Sequence, residues 1–263
     1  MEKINVVVHG AAGRVGQEVV KAVSQEPGMQ LVGVVDIKAP APELVLPDGG
    51  KVPFSNDLKS ALVKYHPDVV VDFSIAKASM PAVRVAAEQG VNLVIGTTGF
   101  SAAELAEMEK LAKTKKIGIV IASNFALGAV LMIHLAKIAG KFFDHAEIIE
   151  LHHDKKLDAP SGTAKSTAQA MAAARGKPFS PPSAQGAASA SRGENSGGIN
   201  IHAVRLPGLM AHQEVIFGGA GQTLTIRHDT INRECYMPGV ILAIKAVMQR
   251  KEYIYGLDKL LGL

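Results

Sequence analysis

Apolar residues run in short unbroken blocks through the first half of the chain, separated by segments in which they recur every three to four positions. The blocks INVVVHG (Ile4 to Gly10), QLVGVVDI (Gln30 to Ile37), DVVVDFS (Asp68 to Ser74), NLVIGTT (Asn92 to Thr98) and IGIVIAS (Ile117 to Ser123) predict strands. Arg14 to Gln25, Lys77 to Gln89 and Ala102 to Lys113 predict helices; in the last, Leu105, Met108, Leu111 and Ala112 share one face. Strands that are apolar on both faces must be covered on both, so the pattern predicts an α/β fold with a doubly wound parallel sheet.

After Ala126 the pattern changes. A long apolar helix over Leu127 to Phe143 leads to a strand, AEIIELHH, and then to an Ala-rich helix over Gly162 to Ala174. Residues 175 to 198, rich in Gly, Ser, Pro and Ala, predict a mobile loop. INIHAVRL from Ile199, HQEVIFGG from His212 and QTLTIRHDT from Gln222 predict further strands, the last two joined through GGAGQ as a hairpin. These elements describe a smaller α+β domain with a mixed or antiparallel sheet, one face of which is a candidate oligomer interface. The closing amphipathic helix, MPGVILAIKAVMQR from Met237, could return to either domain.

Composition narrows the function classes. With 263 residues, 48% hydrophobic and 20% charged, the chain can bury a substantial core and reads as soluble and globular. No apolar run approaches the roughly 20 residues that cross a bilayer, and the N-terminus lacks the features of a signal peptide. The single cysteine, Cys235, cannot form an intrachain disulfide, and the expected location is the cytoplasm. A net charge of +4, no Trp and 5% aromatics give no stacking platform for nucleic acid; a small anionic ligand explains the local basic clusters.

The first strand ends in HGAAGRVG, which spaces Gly10, Gly13 and Gly16 as G-x-x-G-x-x-G before a helix. Glycine there permits a tight turn and lets backbone N–H groups approach a pyrophosphate at the positive end of the helix. Asp36 ends the second strand 20 residues beyond Gly16, where an acid accepts hydrogen bonds from a ribose. The first domain is therefore expected to be a Rossmann domain that binds a dinucleotide. Asp36 favours the free 2′-OH of NADH, whereas Arg14 and Lys38 can pair with the 2′-phosphate of NADPH, so use of both is expected. GTTGF (Gly96 to Phe100) and ASNFALG (Ala122 to Gly128) fall at the carboxyl ends of the fourth and fifth strands, the edge where such sheets hold ligands.

The stretch ELHHDKKLDAPSGTA (Glu150 to Ala164) gathers titrating groups just before a helix. Ser161 suits the N-cap, which points the amides of Gly162 and Thr163 outward as a carboxylate cradle. Lys155 and Lys156 add positive charge, and the histidines His152 and His153 are of the type that titrates near neutrality. The set suits an anionic substrate that is protonated as it is reduced. Zinc is not expected, because the neighbouring lysines oppose a cation and no Cys-rich or H-x-x-x-H pattern is present.

Taken together, GAAGRVG, VDFS, GTTGF, ASNFALG, EIIELHHDKKLDAPSGTA, VRLPGLMAHQEVIFGG and GQTLTIRHD resemble the dihydrodipicolinate reductases over essentially the whole chain. The resemblance implies reduction of a small cyclic dicarboxylate by NADPH or NADH on the diaminopimelate route to lysine. It implies that His152 is the acid/base, Lys156 the proton donor, and His153, Gly162 and Thr163 substrate-carboxylate contacts. On the cofactor side it implies Gly10, Ala11, Ala12, Gly13, Arg14 and Val15 at the pyrophosphate, and Asp36 at the adenine ribose. Gly96, Thr97 and Thr98 fall at the nicotinamide, and Ala122, Ser123, Asn124 and Phe125 at the domain hinge. Ile37 stands where some members carry an arginine for the 2′-phosphate, which leaves that contact to Lys38. Homotetramers assembled through the second domain are also implied. The expected boundaries are 1–126 for the dinucleotide domain, with 237–263 packing back on it, and 127–236 for the substrate and oligomerisation domain. The competing readings are another amino-acid dehydrogenase, similar to aspartate dehydrogenase, and a non-catalytic dinucleotide sensor.

Overall fold

The computed structural model describes residues 2–180 and 190–263 and divides into two compact units, Met1–Leu127 with Arg233–Leu263, and Gly128–Asn232. The first unit alternates strands and helices. The elements are β1 (Ile4–His9), α1 (Arg14–Gln25), β2 (Met29–Val35), β3 (Glu43–Val45), β4 (Lys51–Ser55), α2 (Leu58–Tyr65), β5 (Val69–Asp72), α3 (Ala76–Glu88), β6 (Asn92–Ile95), α4 (Ala102–Lys115) and β7 (Ile119–Ile121). Helix α5 (Leu127–Ala139) follows, and with β13 (Tyr253–Tyr255) the strand order in the sheet is β13-β7-β6-β5-β1-β2-β4-β3 with only β3 antiparallel. Its central strands are buried on both faces: Val6, Val7, Val8, Val69, Val70, Val71, Leu93, Val94 and Ile95 are all 0% exposed. That double burial is why these strands read as continuous apolar runs.

The chain moves outward from β1 to β2 and β4, then crosses back to place β5 on the other side of β1. This reversal opens a crevice at the carboxyl ends of β1 and β5, where such sheets receive ligands. Glycine is required there. Gly10 has φ +79°, and a Cβ on it would lie 2.6 Å from the Phe73 carbonyl oxygen; a Cβ on Gly16 would fall inside contact distance of the Gly10 carbonyl oxygen. Gly16→Ala is expected to destabilise the protein by about 1–3 kcal/mol, the range for overpacking a close contact, measured as a lower urea midpoint.

The hairpin β3–β4, the helix α2 and the strand β13 (Tyr253–Tyr255) are additions to the pattern expected from sequence. β3 and β13 are three residues long, and β4 carries Pro53 beside the sheet edge, so neither length nor alternation marks them. Helix α2 is started by Asp57, whose carboxylate accepts the Lys59 N–H at 3.0 Å. Helix α4 begins with a capping box between Ser101 and Glu104.

The second unit holds β8 (His145–His152), α6 (Gly162–Arg175), β9 (Glu194–Ser196), β10 (Ile199–Arg205), β11 (Ala211–Gly219) and β12 (Gln222–Thr230). The strand order is β12-β11-β8-β10-β9, mixed because β10 runs parallel to β8. Met132 and Ala136 of α5 and Ala164, Ala168 and Met171 of α6 pack on Ala146, Ile148, Ile199, Ile201, Val215 and Phe217. Both helices lie on that one face of the sheet; Ile149 and Ile216, on the other, are only partly buried. Of the mobile loop expected over 175–198, positions 181–189 lie outside the described residues. Its flanks are fixed: Phe179 is 2% exposed and bonded through its N–H to the Gly197 carbonyl, and β9 pairs with β10. One apolar side chain in an otherwise polar stretch supplies that anchor.

After a 3-10 turn (Arg233–Tyr236) the chain returns to the first unit as α7 (Met237–Gln249), β13 and α8 (Leu257–Leu261). A Cβ on Gly239 would collide with the Phe125 carbonyl oxygen, so α7 starts in close contact with the end of the segment Ala122 to Phe125.

Candidate active site

In the first unit the glycine turn is tied to the end of β2 and closed on itself. The Gly10 N–H donates to the Val35 carbonyl at 2.9 Å, and Gly13 N–H to the Gly10 carbonyl at 3.0 Å. Gly13 is the N-cap of α1 and has no side chain to offer, so the first amides of the helix have no side-chain cap. Asp36 grips this turn: its Oδ2 accepts the Ala12 N–H and its Oδ1 the Lys38 N–H, each at 3.0 Å. Arg14 and Lys38 are exposed beside it, Ala11 is buried, and Val15 is half-buried.

A cavity of about 400 Å³ lies over the ends of β1, β5 and β6, lined by Arg14, Val15, the run Phe73 to Ala76, the run Gly96 to Thr98, and Arg233. Gly96 is tight, since a Cβ on it would penetrate the Phe73 ring. Ala122 and Phe125 are buried, Ser123 is exposed, and Asn124 folds back to accept the Ala126 N–H at 2.9 Å.

Beneath this cavity sits Asp72, which is 0% exposed. It accepts hydrogen bonds from His9 Nδ1 at 2.7 Å, Ser74 Oγ at 2.7 Å, Ser79 Oγ at 2.5 Å and Thr97 Oγ1 at 2.8 Å. Thr97 Oγ1 in turn accepts the Ser74 N–H at 2.9 Å. Burial alone would raise the Asp72 pKa, but His9 and the hydroxyls hold it below the usual carboxylate range. The carboxylate thereby fixes the ends of β1, β5 and β6 relative to one another.

In the second unit β8 carries Glu150 and His152 on the same side, two residues apart. Glu150 is 0% exposed and has four donors: His152 Nδ1 at 2.5 Å, Arg205 Nη1 at 2.8 Å and Nη2 at 2.7 Å, and the Ser161 N–H at 3.0 Å. Burial would push its pKa up, yet the bonds from His152, Arg205 and Ser161 bring it down to about 2. Because Glu150 accepts at Nδ1 of His152, that nitrogen carries the proton and Nε2 is left as the free edge of the ring.

Arg205, paired with His152 in the β8–β10 register, also donates to the main-chain carbonyls of Lys156 at 3.3 Å and Asp158 at 2.7 Å. It thus holds the loop that carries Lys156, whose ammonium lies 2.7 and 2.8 Å from the two Asp158 oxygens. That ammonium keeps the Asp158 carboxyl below its ordinary pKa. Ser161 caps α6 through Oγ to the Ala164 N–H at 3.1 Å, leaving Gly162 and Thr163 exposed. A Cβ on Gly162 would meet nothing within 4 Å, so open space lies in front of the helix N-terminus. His153 is half-buried just past the strand end, and its side chain has no hydrogen-bond partner among the described residues.

The residues singled out from sequence therefore fall into two groups, one at the sheet edge of each unit. Sequence reasoning gave no role to Glu150, Arg205, Asp72 or Arg233. A signal existed for Glu150, an acid two positions before a histidine on one strand, and for Asp72, an acid closing an apolar run. Arg205 reaches its place only through the register of two strands about fifty residues apart.

Models of the family described as "Dihydrodipicolinate reductase" match residues 4–125 with its N-terminal part and 128–261 with its C-terminal part. The chain belongs to the dihydrodipicolinate reductase family. It is 61% identical over the full length of both chains to the 4-hydroxy-tetrahydrodipicolinate reductase of Dehalococcoides mccartyi. It is 48% identical to that of Moorella thermoacetica, covering 98% of each. Among solved structures, the dipicolinate-bound dihydrodipicolinate reductase of Paenisporosarcina sp. TG-14 superimposes with a TM-score of 0.88 at 42% identity, covering 98% of this chain and 99% of that one. The reductase family therefore accounts for both units and for the α/β plus mixed-sheet fold. No helix among the described residues is long and apolar enough to cross a membrane.

Proposed function

We propose that this chain is a 4-hydroxy-tetrahydrodipicolinate reductase that uses NADH or NADPH on the diaminopimelate route to lysine. The observation that carries the reading is the grouping of His152, Lys156 and an open, serine-capped helix N-terminus in one unit of a chain matched end to end by that family. An amino-acid dehydrogenase of another kind would have no use for the KKLDAPSGT segment, and a sensor none for a proton donor beside a carboxylate cradle.

The first unit fits a dinucleotide on its own geometry: the Gly10 turn admits no Cβ, the α1 amides have no side-chain cap, and the cavity beside them is bordered by arginines. Gly10 to Val15 would hold the pyrophosphate, Asp36 the adenine ribose with Lys38 and Arg14 near a 2′-phosphate, and Gly96 to Thr98 with Ala122 to Phe125 the nicotinamide end. Bound there, a reduced nicotinamide would supply hydride to C4 of the substrate ring once the 4-hydroxyl has left as water and a C=C conjugated with the ring imine remains. Negative charge then develops toward the ring nitrogen and C3. Lys156, His153 and the amides of Gly162 and Thr163 hold the carboxylates, and His152 or Lys156 delivers the proton. The first unit, with its C-terminal return, serves the cofactor; the second serves the substrate and assembly. The sheet face bearing Ile149 and Ile216 supports assembly into a homotetramer, and the cytoplasm is the expected location.

The test is the loss of reduced-nicotinamide absorbance with substrate generated in place from pyruvate and aspartate semialdehyde, run in parallel with NADH and NADPH. Oxidation of either cofactor only in the complete mixture is the expected result. A folded, cofactor-binding sample that oxidises neither would overturn the reading.

A further inference from the structure

Helix α6 turns a nearly smooth face to the sheet of the second unit. Ala164, Ala168 and Met171 on that face are buried, and so is one polar residue, Thr167, which is 0% exposed. Alanines form shallow ridges, so packing alone does little to fix such a helix along its own axis. Thr167 supplies a directional tie. Its hydroxyl donates to the Thr163 carbonyl at 2.8 Å, and its oxygen accepts from Nε2 of Gln213 on β11 at 2.9 Å.

Gln213 is the member that stability does not explain. It is 5% exposed, and its Oε1 has no hydrogen-bond partner among the described residues. The orientation of the amide follows from Thr167, whose single proton is spent on Thr163 and whose oxygen is left to accept. A carboxamide buried with its oxygen unsatisfied is a net cost, which an apolar side chain of similar length would avoid. What the bond holds is the start of α6. Gln213 faces Glu150 in the β8–β11 register, and Glu150 accepts the Ser161 N–H at 3.0 Å. Two neighbouring polar residues of the sheet thus grip the helix, one at its N-cap and one, through Thr167, at the carbonyl of Thr163. The exposed Gly162 and Thr163 amides fall between these two ties in the chain.

We infer that Gln213 and Thr167 are positioning residues for a substrate carboxylate, acting through the first turn of α6. The inference rests on the reading of that turn as the carboxylate cradle. Neither side chain touches the substrate; each fixes where the cradle amides point. A carboxylate on those amides is held in the ground state and the transition state alike, so loosening the chain raises KM and leaves kcat.

The experiment compares Thr167→Val, Gln213→Met, the double variant and Thr167→Ser with the unchanged protein. It reads steady-state kinetics, inhibition by pyridine-2,6-dicarboxylate as an unreactive ring with two carboxylates, and NADH affinity by calorimetry. KM for the cyclic dicarboxylate and the inhibition constant should both rise about tenfold in Thr167→Val and Gln213→Met, the scale of a hydrogen bond to a charged group. NADH affinity should be unchanged and kcat should stay within about twofold. The double variant should be no worse than either single one, because both break the same chain, and Thr167→Ser, which keeps the hydroxyl, should behave as the unchanged protein. Gln213→Met leaves Thr167 and its bond to Thr163 in place, so it decides even where Thr167→Val does not fold. Unchanged KM and inhibition constant in Gln213→Met would overturn the inference. So would a fall in kcat at unchanged KM, or an equal loss of NADH affinity, which would place the effect on proton delivery or on the whole fold. An unchanged protein that binds NADH, yet neither oxidises it with the cyclic dicarboxylate nor binds the pyridine dicarboxylate, would instead overturn the reading of the cradle itself.

Discussion

Lys156→Ala should lower kcat by about two to four orders of magnitude, the span expected when a positioned acid is removed from a proton-transfer step. The loss should not come through unfolding. The Lys156 ammonium is paired with Asp158, whose side chain is 61% exposed, and an ion pair with so exposed a partner contributes about 0–1 kcal/mol. After the substitution Asp158 remains hydrated, and the loop is still held by Arg205 through the main-chain carbonyls at 156 and 158. The kinetic pattern separates two roles. If Lys156 delivers the proton, kcat and kcat/KM fall together; if it only binds a carboxylate, KM rises while kcat stays. NADH affinity, measured by calorimetry, should be unchanged in either case. A kcat equal to that of the unchanged protein would remove Lys156 from proton delivery and leave the task to His152.

The sequence carried much of this architecture because the relevant signals are local. Helix α1 spans Arg14–Gln25 as its periodicity predicts, and Ser161 caps α6 as its chemistry predicts. The apolar runs located the strands of the parallel sheet, since burial on both faces leaves few polar positions in them. The short edge strands were not legible, because three residues are too few to show a period. Nor was the work of Asp72 and Glu150, for a more physical reason. Each is a charge at the end of an apolar strand, and its function depends on donors brought together from other elements: His9, Ser79 and Thr97 for one, Arg205 and Ser161 for the other. Local pattern identifies single residues more readily than the partners that other elements bring to them.

Glu150→Gln should be costly in both stability and turnover, and the two losses can be separated. Glu150 is fully buried and accepts four hydrogen bonds, two of them from Arg205, whose side chain is only 18% exposed. Glutamine removes the charge and turns an NH2 group toward donors, leaving the guanidinium uncompensated. Breaking a buried pair from one side costs about 3–5 kcal/mol. The pH dependence follows from the depressed pKa of about 2, against 4.5 for an ordinary glutamate. Such a group stabilises the fold fully above its unfolded pKa and progressively less as pH falls from about 5 to about 2, by about 3 kcal/mol in all. Urea titrations over that range should show the decline in the unchanged protein and a flatter profile in Glu150→Gln. Turnover should fall about ten- to hundredfold besides, because the His152 ring loses the acceptor that fixes its tautomer and orientation. The paired variant Glu150→Met with Arg205→Met distinguishes packing from positioning. Well-packed apolar replacements of a buried ion pair are often neutral or stabilising, so the unfolding midpoint should recover. If turnover recovers with it, the pair serves stability alone. If the fold is restored while kcat stays low and the pH profile of kcat remains displaced, Glu150 and Arg205 are positioning residues that act through His152 and the Lys156 loop.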